Sequence, residues 1–248
     1  MVSMRPFLFF CVGVFALAAG LNATEPGGKN LHRFASGPAQ VSLIELYTSE
    51  GCSSCPPADR WLGGLREAPG LWRDFVPVAL HVDYWNRLGW PDRFSTRAFT
   101  QREYDYAAMW QGDSVYTPCF VRDGAEWRGG HDLAPTGRKV GELTVSYDGA
   151  VVRTEFIPAG EKAAARAGYE VHAAILGGGI TSTVTAGENR GETLRHYFVA
   201  LRLAQAALGA ELPLAVPPIT GVPHHALAVW ITRTGELTPL QAAGGWLD

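Results

Sequence analysis

The chain carries Cys52-Ser-Ser-Cys-Pro-Pro57, and its paired prolines restrict the local fold more than any other feature. Proline lacks an N–H and has a fixed φ, so two in a row fit the first turn of a helix and not its interior or a central strand. Before them, Val41-Ser-Leu-Ile-Glu-Leu-Tyr47 is short and apolar, as a buried strand is. After them, Ala58, Trp61, Leu62 and Leu65 recur at helical spacing. The segment reads as strand, loop, helix. Pro56 pushes Cys55 out of helical geometry, which sets both cysteines in the turn just before the helix.

A second strand is expected over residues 75–82, followed by an aromatic loop over 83–90 and a helix capped by Ser95. In that helix Phe99, Arg102, Tyr106, Met109 and Trp110 return at spacings of three and four. Residues 115–122 and 125–129 flank Asp123-Gly124, which supplies the positive φ angles of a tight hairpin. Beyond residue 140 short β segments follow at 142–147, 150–157, 169–176 and 180–185, then a strand passing into a helix over 193–208 and a hairpin around 226–232. The expectation is an α/β domain over 41–139 and an antiparallel β-rich domain over 140–248.

Residues 1–23 show Arg5, an apolar run over 7–19 and the small residues Ala18, Gly20 and Ala23, the order of a secretory signal peptide. Cys11 reads as apolar filler within that run. Residues 24–40, rich in Gly, Pro and Asn, read as a linker. The expected location is periplasmic or secreted, with no membrane association after cleavage. A net charge of −3 without a long basic run gives no footprint for nucleic acid.

Cleavage leaves Cys52, Cys55 and Cys119, an odd number in an oxidising compartment, so one thiol is free, metal-bound or paired with another molecule. A Cys-x-x-Cys pair between strand and helix in a βαβ unit suits redox chemistry, because the unpaired N–H groups of a helix start favour a thiolate. Cys52 would attack and Cys55 would resolve the mixed disulfide. Pro56 and Pro57 weaken the dipole effect, and Asp59 opposes it further. The alternatives are a structural disulfide and two ligands of a metal site.

Thr117-Pro118 at the start of a strand resembles the cis-proline that faces the cysteine pair in the thioredoxin superfamily. A closer resemblance is to the DUF1223 family of secreted bacterial proteins. It is carried by Glu45-Leu-Tyr-Thr-Ser-Glu-Gly-Cys-Ser-Ser-Cys-Pro-Pro-Ala-Asp59, His81-Val-Asp-Tyr-Trp-Asn-Arg-Leu-Gly-Trp90, Tyr116-Thr-Pro118 and Gly187-Glu-Asn-Arg-Gly191. The resemblance implies a thioredoxin-like domain over 41–139 with an appended β-rich domain, and a redox role. Cys119 departs from the pattern. It would capture Cys52, add a metal ligand or point into the core.

Glu45, on the first strand, resembles in type the buried acid that takes a proton from the resolving thiol in thioredoxins; an ion pair with Arg102 is the alternative. His81 ends the second strand, where it would bond Asp83 or join Cys52 and Cys55 in a copper or zinc site. Tyr84, Trp85 and Trp90 would wall a groove or pack on the second helix. Gly187-Glu-Asn-Arg-Gly191 reads as a turn without chemistry.

Three functions compete. The first is a cofactor-free thiol–disulfide oxidoreductase acting on protein or small-thiol substrates through Cys52 and Cys55, with Thr117, Pro118 and Glu45 assisting. The second is a copper-binding or copper-delivery module using the same cysteines with His81 or Cys119. The third is a noncatalytic binding protein stapled by the disulfide.

Overall fold

The run over residues 41–47 places apolar residues on both faces, the pattern of a strand covered on both sides. All residues over Ser42–Thr48 are buried. The computed structural model describes residues 1, 31–128, 132–165 and 167–248. The expected leader beyond Met1, with Cys11, and residues 24–30 of the expected linker lie outside the described residues.

In chain order the elements are β1 (His32–Ala35), β2 (Ser42–Thr48), α1 (Pro56–Gly64), β3 (Phe75–His81), α2 (Arg97–Met109), β4 (Cys119–Arg122), β5 (Ala125–Glu126), β6 (Gly141–Tyr147), β7 (Val151–Pro158) and β8 (Tyr169–Gly178). They continue as β9 (Ile180–Thr183), β10 (Thr193–His196), β11 (Val199–Ala207), β12 (Leu212–Pro213), β13 (His224–Arg233) and β14 (Gln241–Trp246). One eight-stranded sheet runs β14-β13-β8-β11-β3-β2-β4-β5, a second of four strands runs β1-β6-β7-β12, and β9 pairs with β10. β2 lies parallel to β3, and α1 lies between them in sequence.

Two layers of core follow from strand alternation. On β13, Ala226, Ala228 and Trp230 face the core shared with Leu43, Leu62 and Phe99. The intervening Leu227, Val229 and Ile231 pack with Leu143, Val145 and Phe156 of β6 and β7. β6 itself alternates buried and exposed residues, as a strand with one solvated face does.

This architecture corrects the expectation of an α/β, thioredoxin-like domain with a separate C-terminal β-rich domain. Among the described residues the protein is mostly β, with 40% strand against 13% helix and two short α-helices. The main sheet includes strands from both sides of residue 140: β11 pairs with both β8 and β3, and β8 and β13 carry apolar residues on both faces. Residues 193–208 hold two strands, β10 and β11, and no helix. Part of the expected linker is also structured: β1 pairs with β6 from His32↔Tyr147 to Ala35↔Thr144. The cap of α2 is Thr96, whose hydroxyl accepts from the Phe99 N–H, one residue after the expected Ser95.

Candidate functional site

Cys52 and Cys55 form a disulfide. Cys55 is the N-cap of α1, with Pro56 and Pro57 filling the first helical positions, but it keeps helical dihedrals (φ −77°, ψ −35°), which corrects the expectation that Pro56 pushes it out of helical geometry. The Cys55 N–H bonds the Cys52 carbonyl at 3.2 Å, and the Asp59 N–H bonds the Cys55 carbonyl at 3.1 Å. Both cysteines are fully buried. The Cys52 sulfur lies 3.3 Å from the Ser54 hydroxyl and 3.8 Å from the Thr117 carbonyl oxygen.

The Thr117-Pro118 peptide is cis. Trp85 holds it in place, its indole N–H donating to the Thr117 hydroxyl at 2.8 Å. Ser54 and Pro118 border a cavity of about 780 Å³, walled by Pro57, Trp61, Tyr116, Phe120 and Trp127 and reached by Arg128. Trp90 lines no part of it and instead donates to Glu50 at 2.8 Å.

The turn over residues 187–191, expected to carry no chemistry, holds the cysteine loop shut. Asn189 is buried and its amide donates to the Glu50 and Cys52 carbonyls, each at 2.9 Å. Glu188 accepts from the Ser53 N–H at 3.0 Å and the Ser53 hydroxyl at 2.7 Å, which hold its carboxyl below the ordinary range. Sequence spacing gives no hint of this clamp, since 135 residues separate Ser53 from Glu188.

Beneath the loop lies a buried set of acids and imidazoles. His81 Nδ1 pairs with Asp92 at 2.7 Å, not with the expected Asp83, which instead accepts from the Thr100 hydroxyl at 2.6 Å. Burial disfavours Asp92 ionisation, but His81 and the Glu50 and Phe94 N–H groups outweigh it and hold the carboxyl below its ordinary range. Asp59 accepts from the Thr48 hydroxyl at 3.0 Å; burial pushes its carboxyl up against the pull of His196 and His81. His196 Nε2 approaches Glu50 at 3.3 Å. His81 thus joins Asp59 and His196 rather than the cysteines, and in the disulfide neither sulfur is a thiolate ligand.

Glu45 lies in the ion pair that stood as one of its two alternatives. Arg102 Nε donates to it at 2.7 Å, and the Tyr106 hydroxyl donates to its other oxygen at 2.7 Å. Cys119 is a buried free thiol, pushed up to about 12 chiefly by burial, and at neutral pH it keeps its proton. It lines a separate cavity of about 230 Å³ with Glu103 and Tyr116.

Burial likewise pushes Glu103 up to about 8, against relief from the Tyr84 hydroxyl and the Tyr116 backbone. Between its ordinary 4.5 and about 8 the folded chain therefore holds a proton that the unfolded chain releases, so Glu103 makes stability fall as pH rises through that window. In urea unfolding, Glu103→Gln is expected to gain on the order of 2–4 kcal/mol relative to wild type between pH 5 and pH 8.5. Parallel pH profiles for the two proteins would refute this.

The fold and site define a class: a mostly β protein whose buried disulfide caps a helix beside a cis-proline turn. The chain belongs to the DUF1223 family, described as protein of unknown function and matched over residues 43–232. In fold it is similar to a protein of Agrobacterium tumefaciens solved by X-ray crystallography, with 22% identity, a TM-score of 0.56, and coverage of 84% of this chain and 94% of that one. It is also similar to HBP35 of Porphyromonas gingivalis, at 10% identity, a TM-score of 0.50, and coverage of 86% of this chain and 77% of that one. No curated protein matches the chain.

Proposed function

We propose that this protein is an exported thiol–disulfide exchange protein in which Cys52 attacks and Cys55 resolves. The observation that carries the reading is the disulfide at the start of α1, whose Cys52 sulfur contacts Ser54 and Thr117 at the rim of the aromatic cavity. A chain that lays a disulfide-bonded cysteine along that cavity meets a largely apolar wall with Arg128 at one side. Polypeptide and small-thiol substrates both suit such a surface.

In the reduced protein the Cys52 thiolate attacks one sulfur of the substrate disulfide. A Cys52–substrate disulfide forms, and the substrate's other sulfur leaves as a thiolate. The Cys55 thiolate then attacks the Cys52 sulfur, closing the Cys52–Cys55 bond and expelling the second substrate thiolate. Two electrons pass from the pair to the substrate, and the same steps in reverse oxidise a dithiol. Cys119 takes no part, being protonated and in another cavity. Glu45 takes none either, since Arg102 and Tyr106 occupy its carboxylate.

The complete burial of both cysteines favours a second reading, a structural disulfide. Alkylation of the purified chain across glutathione and dithiothreitol redox buffers, with turnover of a disulfide-linked peptide, separates the two. Exchange requires a pair potential above about −300 mV and turnover that survives Cys119→Ser but not Cys52→Ser. A lower potential with no turnover leaves the structural disulfide.

A further inference from the structure

Behind the cysteine loop, three segments distant in sequence deliver side chains to one buried point. Asp59 comes from the first turn of α1, His81 from the end of β3 and His196 from the end of β10. One ligand atom from each lies within 4.8 Å of the other two. All three residues are buried, with His81 at 0% and His196 at 2% exposure. His81 Nε2 and both ring nitrogens of His196 lack an aligned hydrogen-bond partner.

An imidazole nitrogen so placed is costly whether it carries a proton or a lone pair, because buried polar atoms are ordinarily satisfied. One nitrogen from each ring beside the Asp59 carboxylate makes a three-atom donor set. Buried carboxyls also outnumber imidazoles here. Glu50, Asp59 and Asp92 are buried here, and among the described residues their only ion-pair partners are His81 and His196.

We propose that Asp59, His81 and His196 bind one zinc ion. Two imidazoles and a carboxylate are ligands that zinc accepts, and a dication offsets the surplus of carboxylates. The surrounding contacts are those of a supported metal ligand set. Asp92 holds His81 Nδ1 at 2.7 Å, which leaves Nε2 as the coordinating atom. Asp92 is itself fixed by the N–H groups of Glu50 at 2.9 Å and Phe94 at 3.0 Å. The Thr48 hydroxyl orients Asp59 at 3.0 Å. Glu50 Oε1, 3.3 Å from His196 Nε2 and without an aligned donor, is the neighbouring oxygen for a fourth position.

The site is independent of the redox reading and uses neither cysteine. By tying α1, β3 and β10 together it would brace the cysteine loop from below.

The full chain, purified without chelator, is expected to retain about one equivalent of zinc by elemental analysis. After chelation and dialysis it should take up zinc chloride again at one equivalent. Zinc affinity should fall at least tenfold in His196→Asn and be unchanged in Cys52→Ser. Cobalt chloride substituted into the wild-type chain gives a readout that needs no variant to fold: d–d bands without a thiolate-to-cobalt charge-transfer band. Stoichiometric binding that survives His196→Asn, a thiolate charge-transfer band, another metal at one equivalent, or less than a tenth of an equivalent of zinc at micromolar free metal would each overturn the proposal.

Discussion

Arg102→Met is expected to cost about 3–5 kcal/mol of folding stability, the cost of leaving one partner of a buried ion pair without the other. Glu45 is 1% exposed and Arg102 7%, so water screens neither charge well. Arg102 Nε lies 2.7 Å from Glu45, and its Nη2 donates to the Tyr106 hydroxyl at 3.1 Å. Its guanidinium also stands 5.1 Å from the Tyr106 ring centroid and 5.4 Å from that of Trp230. Methionine preserves much of the volume but strands a carboxylate on β2 between apolar neighbours. Leu43 and Leu46 beside it are fully buried.

The discriminating partner is the double variant Glu45→Leu with Arg102→Met. Removing both charges leaves no ion to desolvate, so it should recover most of the loss, as apolar replacements of buried pairs often do. Urea midpoints for the two single variants and the double give the coupling directly. A loss below about 1 kcal/mol for Arg102→Met, or losses that simply add in the double variant, would show that this pair does not anchor the sheet.

The same pair marks where local sequence stops dictating structure. A carboxylate between Leu43 and Tyr47 on a buried strand must be bonded or protonated, which is a legible constraint. Which of the two holds depends on α2 crossing β2, a tertiary fact. Local punctuation transferred well. Pro56 and Pro57 open α1, and Asp123-Gly124 sits at φ 51° and 84° in the two-residue turn that pairs Arg122 with Ala125.

Tertiary pairing overrode local preference elsewhere. Residues 199–207, Val-Ala-Leu-Arg-Leu-Ala-Gln-Ala-Ala, have the composition of a helix. They form β11 because β8 supplies an antiparallel ladder from Val199↔Gly177 to Ala207↔Glu170, with one register shift between Ala200 and Arg202. Regularly spaced strands after residue 140 suggested a separate domain, but strands apolar on both faces are those that a sheet inserts into its middle. His81 was visible as a ligand candidate by residue type. Its partners Asp59, Asp92 and His196 were not, because no sequence period links the end of β3 to the end of β10.

The clamp on the cysteine loop has the second large consequence. Asn189→Ala is expected to speed reduction of the Cys52–Cys55 disulfide by dithiothreitol roughly 30-fold, through a drop of about 2 kcal/mol in the free energy of local opening. The deleted amide leaves the buried carbonyls of Glu50 and Cys52 without their donor, a cost borne by the closed loop and relieved when it opens to water. Reductant must reach a sulfur in a fully buried pair, so the rate reports the open population. Glu188→Ala should change it far less, since Ser53 is exposed and water replaces the lost carboxylate. Arg102→Met serves as the control for global unfolding. If Asn189→Ala accelerates reduction while its urea midpoint falls less than that of Arg102→Met, access is governed by the 187–191 turn. An unchanged rate would mean that the loop opens by a route that leaves Asn189 in place.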